Sequence, residues 1–180
     1  MPGTKRKPLS FEYDDIMNHI LSIGDKADRF LFAVSYANGT RISEALGVRA
    51  EDIRVDKGFL FIETTVLKKR RPGIVRAPPI WIAGEPWLAE IILGYVAGRR
   101  GRLIHYSKRT AQRRFDSCFD CTSHSFRHTR ATHCFLVLGL SMEMVRLYFR
   151  LSPRGLTDWI VRYGHLDMED LKGKIRGAFE

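Results

Sequence analysis

Apolar and polar positions alternate along this chain in three regimes. Ser10 suits a helix N-cap, and Glu12, Asp14 and Asp15 follow where the positive end of the helix dipole favours carboxylates. A helix is therefore predicted from there to about residue 23. A second, over 26–36, is predicted from Phe30, Leu31, Val34 and Ala37 at helical spacing, and the pair Asn38-Gly39 breaks it. Helix resumes over 41–47. The period then shortens. Phe59-Leu60-Phe61-Ile62 continues into Thr64-Thr65-Val66, and residues 74–80 form a second extended piece ending in Pro78-Pro79. Between them stands the charged turn Lys68-Lys69-Arg70-Arg71-Pro72-Gly73, so a β-hairpin is expected, with a third short strand near 53–55. From Pro86 onward the pattern is helical, over 86–95, 108–119, 124–138, 142–149, 156–162 and 168–176. Gly139 suits the residue after a helix end, and Ser141 the cap of the next. The expected fold is α+β, mainly helical, with one small antiparallel sheet.

Composition narrows the function. The 180 residues fit one globular domain, and 44% hydrophobic content is enough for a sizeable core. Thirty Lys and Arg against 20 Asp and Glu leave a net charge of +10, which points to a polyanionic partner, nucleic acid above all. No stretch approaches the ~20 apolar residues of a membrane span, and the basic start lacks the apolar run of a secretory signal. Cys118, Cys121 and Cys134 are too few and too odd in number for a disulfide framework, so a reducing compartment is expected. Residues 1–9, basic and with two prolines, read as a flexible arm or linker remnant.

Three local patterns carry candidate chemistry. In Gly39-Thr40-Arg41-Ile42-Ser43-Glu44, Arg41 opens a helix and Glu44 lies one turn later on the same face, where a carboxylate can hold a guanidinium rigid. A plain surface ion pair reads the same way. In His124-Ser125-Phe126-Arg127-His128-Thr129, an imidazole and a guanidinium share a helix face. Together they can hold a phosphate and manage a proton near neutral pH, or simply be a solvated basic surface. Phe126, Ala131, Phe135 and Leu138 are expected on the inward face of that helix. The third pattern is Arg162-Tyr163-Gly164-His165-Leu166, whose tyrosine alone would read as a packing residue.

Their order and spacing are more specific than any one of them. An Arg after a glycine with a Glu three on, a basic hairpin, His-x-x-Arg-His-Thr, then Arg-Tyr-x-His-Leu with the tyrosine 36 positions past the arginine (163 − 127) resembles the tyrosine recombinase (phage integrase) catalytic domain. The resemblance covers about residues 10–175, so residues 10–180 are expected to form that domain. The segment Arg-Tyr-Gly-His-Leu followed by Glu169-Asp170-Leu171 is similar to archaeal and viral members.

The resemblance implies a site. Tyr163 matches the nucleophile, which attacks a scissile phosphate and leaves a 3′-phosphotyrosyl link and a free 5′-hydroxyl, with neither metal nor ATP. Deprotonating a phenol of pKa ~10 at pH 7 costs about 4 kcal/mol, so the site must lower that barrier. Arg41 and Arg127 match the two arginines that stabilise charge on the phosphorane, and Glu44 would orient Arg41. His124 matches the residue that helps move the tyrosine's proton. Lys68 and Lys69 both fit the hairpin lysine that protonates the leaving oxygen, and the sequence does not choose between them. One departure stands out: nine residues before the tyrosine, where relatives carry His or Trp, this chain has Arg154, leaving Arg154, Arg150 or Trp159 to fill the space.

The implied partner is double-stranded DNA, with no membrane, in a prokaryotic cell or virus-infected host, and with copies of the chain assembling on the DNA. Lys108, Arg109, Arg113 and Arg114 form an expected phosphate-contacting stripe, a solvated helix face being the alternative. A zinc reading of Cys118-x-x-Cys121-x-x-His124-x-x-x-His128 is disfavoured by the two-residue bridge between its ligand pairs and by the use of His124 elsewhere; small, partly buried cysteines at a helix end are expected instead. Relatives place a helical domain before the catalytic one, and nine residues precede the first helix here, so a fragment and a minimal recombinase are both open. A type IB-like topoisomerase and a non-catalytic DNA-binding remnant are the other functions that fit.

Overall fold

In the computed structural model, residues 11–65 and 75–149 are described. Their order is α1 (Tyr13–Ser22), α2 (Lys26–Asn38), α3 (Ile42–Ala45), a 3₁₀ turn (Ala50–Asp52), β1 (Ile53–Asp56), β2 (Phe59–Ile62), β3 (Thr64–Thr65), β4 (Val75–Arg76), β5 (Pro79–Trp81), α4 (Pro86–Val96), α5 (Lys108–Phe119), α6 (Ser123–Leu136) and α7 (Met142–Phe149). The fold is mainly helical with a small antiparallel sheet, as the pattern predicts.

Local chemistry explains the helix ends. The Asp25 carboxylate accepts from the N–H groups of Ala27 and Asp28 at the start of α2. Gly39 ends it in the left-handed region (φ 52°), where a residue bearing a Cβ is strained. Ser107 caps α5 by accepting from the Thr110 N–H at 3.0 Å, and Pro86 occupies the first turn of α4, where no N–H is needed. At α1 the cap is Glu12, without a side-chain bond, while Ser10 lies outside the described residues.

The sheet order is β1-β2-β5, with Ile53 opposite Ile62 and Leu60 opposite Ile80. Leu60, Ile62 and Ile80 are all buried, so one face of the strands joins the core and the other meets solvent. Pro79 is tolerated because β5 is an outer strand. The hairpin continues as β3 against β4, with Thr64 opposite Arg76. Its tip, with Lys68 and Lys69, lies outside the described residues, as do the helices expected over 156–162 and 168–176.

Two expectations need correction. The helix expected over 41–47 is only four residues long, because Leu46 and Gly47 already turn away. The helix expected over 124–138 stops at Leu136: the N–H groups of Val137 and Leu138 both reach the His133 carbonyl, and Gly139 takes φ 62°. Leu138 is consequently exposed rather than inward.

The chain divides into two compact units, with the boundary within α6 at Arg130 and Ala131. The first is built on α2, whose residues from Phe30 to Asn38 are all buried. Phe32, Phe115, Phe119 and Phe126 pack edge to face around it, with centroids 4.8–5.0 Å apart for Phe32–Phe115, Phe115–Phe126 and Phe119–Phe126. Such pairs each add about 0.5–1.5 kcal/mol beyond their buried area. The second unit packs Ala131 and Cys134 with Val145, Tyr148 and Phe149. Among the described residues, no helix is long and apolar enough to cross a membrane.

Candidate active site

The turn that closes α2 meets α6. Gly39 donates its N–H to the Tyr36 carbonyl at 3.0 Å, as a left-handed cap requires. Its own carbonyl accepts from Arg127 Nη1 at 2.5 Å, a contact across 88 residues. The neighbouring Asn38 donates Nδ2 to the Ile62 carbonyl at 2.7 Å in a buried bond, which ties the same turn to β2. The turn therefore joins the helix carrying Arg127 to the sheet that leads into the hairpin.

Arg41 follows two residues later, as the N-cap of α3. Its N–H donates to Glu44 Oε2 and its Nη1 to Glu44 Oε1, both at 3.0 Å. The Glu44 side chain is only 2% exposed, whereas that of Arg41 is 46% exposed. An ordinary surface pair leaves both partners in water and contributes about 0–1 kcal/mol. Here the buried carboxylate serves the helix start and the guanidinium at once, holding Arg41 from the inner side while its other edge faces solvent. A cation held in this way suits an anionic ligand.

α6 carries the remaining described groups. Phe126 faces the core, fully buried, and Thr129 Oγ1 accepts from the Phe11 N–H at 3.2 Å. These contacts fix the helix so that Arg127 is half-buried and His124, one turn earlier, is exposed. The His124 ring meets His128 edge to face, with centroids 4.8 Å apart, and His128 is buried. Tyr163, Lys68 and Lys69 lie outside the described residues.

The expected basic stripe is not uniform. Lys108, Arg109 and Arg113 are exposed on α5, which packs against α3. Arg114 instead turns to Asp28, with Nε 3.5 Å from Oδ2, and its guanidinium lies 5.9 Å from the Tyr106 ring centroid. Burial raises the Asp28 carboxyl above its ordinary range. Burial, and then the Asp28 charge, push the Tyr106 hydroxyl up to about 12. Arg114 thus anchors α5 to α2. Cys118 is half-buried and Cys121 buried at the end of α5, and burial pushes the Cys121 thiol up to about 12. Among the described residues, no three His, Cys, Asp or Glu side chains converge as a metal-binding group.

A further polar cluster was not singled out by the sequence. Arg130, 1% exposed, holds Glu85, 4% exposed, through two parallel bonds of 2.5 and 2.7 Å. Its guanidinium also lies 5.1 Å from the Tyr36 ring centroid. Burial pushes the Tyr36 hydroxyl well above the ordinary phenol value, and does the same more mildly at Tyr13, which accepts from Trp87 Nε1 at 3.2 Å. The available sequence signal was the three-residue step from Arg127 to Arg130, and nothing local pairs Arg130 with a glutamate 45 positions away.

No protein-family model and no curated protein matches the chain by sequence. Solved structures do match by shape. The chain is similar to the XerH site-specific recombinase bound to palindromic difH substrate in a post-cleavage complex, at TM-score 0.63 and 17% identity, covering 97% of this chain and 54% of that one. The integrase of mycobacterium phage Brujita matches at TM-score 0.64 and 15% identity, covering 96% and 58%. The catalytic domain of bacteriophage HP1 integrase matches at TM-score 0.60 and 20% identity, covering 93% and 94%. The chain thus spans about half the length of the first two and nearly all of the isolated HP1 domain. It has the fold of the tyrosine recombinase catalytic domain.

Proposed function

We propose that this chain cleaves and rejoins duplex DNA as a site-specific recombinase, through a covalent 3′-phosphotyrosyl intermediate on Tyr163. The observation that carries the reading is the 2.5 Å bond from Arg127 to the Gly39 carbonyl, which brings the second arginine of the motif to the turn that presents the first. In the proposed reaction the Tyr163 oxygen attacks phosphorus, the P–O5′ bond breaks, and the 5′-oxygen leaves with a proton from Lys68 or Lys69. Rejoining reverses these steps with the 5′-hydroxyl of another strand. Arg41, oriented by Glu44, and Arg127 bind the non-bridging oxygens, where charge builds in the transition state. A preorganised donor at such a position is worth about 2.7–4 kcal/mol. His124 assists the proton that leaves Tyr163. Permanent guanidinium charge does here what a metal ion does in other nucleases, so neither metal nor ATP is invoked. Lys108, Arg109 and Arg113 contact the duplex backbone, and several copies assemble on the DNA. The recombinase and integrase identities of the structural neighbours support this reading.

A nicked suicide duplex tests it. In buffer containing a chelator, wild type is expected to form a covalent protein–DNA adduct that is absent in Tyr163→Phe. A second reading, a DNA-binding remnant without catalysis, is favoured by Arg154 standing where relatives carry His or Trp. Duplex binding without adduct on any attachment-site DNA would select the remnant.

A further inference from the structure

The buried Glu85–Arg130 pair has no part in the proposed chemistry, yet its Arg130 sits on the helix that supplies Arg127. A buried ion pair is a poor device for stability. Desolvating two charges consumes most of what their attraction returns, and apolar residues of similar volume usually hold a fold as well. What such a pair does supply is direction. Nη1 and Nη2 of Arg130 donate to Oε1 and Oε2 of Glu85, at 2.5 and 2.7 Å, so the two planar groups are locked edge to edge. Glu85 is itself fixed at the head of α4, its N–H donating to the Trp81 carbonyl at 2.9 Å and its carbonyl accepting from the Leu88 N–H at 3.1 Å.

Arg130 and Arg127 then grip the same piece of chain. Arg130 lies 5.1 Å from the ring centroid of Tyr36, and Arg127 donates to the carbonyl of Gly39, whose N–H in turn donates to the Tyr36 carbonyl. α6 therefore touches the end of α2 at two points three residues apart, one buried and saturated, the other at the candidate site. Rotating a helix by about 10° about its axis moves a side-chain tip ~1 Å, given a radius of about 5–6 Å. A misplacement of ~1 Å can cost about 10²-fold in rate.

We propose that Glu85 and Arg130 are positioning residues, whose bidentate pair sets the rotation of α6 so that Arg127 meets the Gly39 carbonyl beside Arg41. This rests on the recombinase reading for its consequence in catalysis, but not for its consequence in geometry.

The test uses the full chain carrying Glu85→Leu and Arg130→Met together, which removes both charges while keeping bulk, with Arg130→Lys as a second variant. The double variant is expected to unfold cooperatively within roughly 5 °C of wild type. It should bind duplex DNA about as tightly and form the phosphotyrosyl adduct at least ~10-fold more slowly under single turnover. The Gly39 carbonyl carbon resonance, which reports the Arg127 bond, should move toward its position in Arg127→Ala. Arg130→Lys, which keeps the charge but loses the fork, should fall between wild type and the double variant in both rate and shift. A double variant with wild-type rate and an unmoved Gly39 resonance overturns the proposal, and so does a wild-type rate in Arg130→Lys should the double variant fail to fold. If wild type itself forms no adduct, the recombinase reading fails. The Gly39 resonance then decides the positioning role alone, a shift supporting it and no shift refuting it.

Discussion

Two arginine–glutamate pairs stand near the end of α2, Arg41 two residues past Gly39 and Arg130 5.1 Å from the Tyr36 ring centroid, and they are built differently. In Arg41–Glu44 the carboxylate is buried at 2% exposure while the Arg41 side chain is 46% exposed and gives it a side-chain bond through Nη1. In Arg130–Glu85 both groups are buried and the fork is filled by both carboxylate oxygens. The first pair leaves a charged edge for something else to bind. The second consumes its charge internally and can only hold other parts in place. Charge count alone would rate the two alike, so the division between binding and scaffolding rests on where water reaches.

That difference can be broken by mutation, and the largest effect belongs to the closed pair. Arg130→Ala should destabilise the protein by about 3–5 kcal/mol in denaturant unfolding, because Glu85 is left buried without its counter-ion. Glu44→Ala should cost less, about 1–3 kcal/mol, through loss of the bond that caps α3, and should also slow adduct formation by freeing Arg41. Arg41→Ala should cost a similar amount, about 1–3 kcal/mol, the cost of a buried acceptor short of one partner, since the buried Glu44 carboxylate loses its guanidinium but still accepts from the backbone N–H. Equal destabilisation by Arg41→Ala and Arg130→Ala would erase the distinction.

A third arrangement, Asp28 with Arg114 and Tyr106, lies between the two and gives the smallest effect. The Tyr106 hydroxyl is raised to about 12, chiefly by burial, so the fold favours its neutral form. Its stabilising contribution is complete below the unfolded phenol value of about 10 and is lost as pH climbs toward 12. Urea midpoints measured across that window should fall more steeply for wild type than for Tyr106→Phe. Parallel slopes would show that the packing around Tyr106 is indifferent to its charge.

Much of this was legible in the sequence wherever the signal is local. The limits of α5 and α7 follow from Ser107, Ser141 and the apolar spacing, and Gly39 marks the end of α2 because only its backbone tolerates the required turn. The step from Arg41 to Glu44 and the step from His124 to Arg127 are likewise local. What a short window cannot carry was missed. Arg130 reads as one more base on a basic helix until the fold sets Glu85 against it, and Arg114 reads as part of a stripe until Asp28 draws it aside. Leu138 continues the helical period toward the inward face, but the helix ends before Gly139 and leaves it exposed. Tyr163, Lys68 and Lys69 rest on the motif, since they lie outside the described residues.

In the proposed reaction the open pair and Arg127 together stabilise a phosphate in transition. Single-turnover adduct formation on a nicked suicide duplex, in chelator, tests it most directly with Arg41→Ala and Arg127→Ala. Each variant is expected to keep its fold and its duplex binding and to lose about 10²–10³-fold in the rate of adduct formation. A rate equal to wild type in either variant would contradict it.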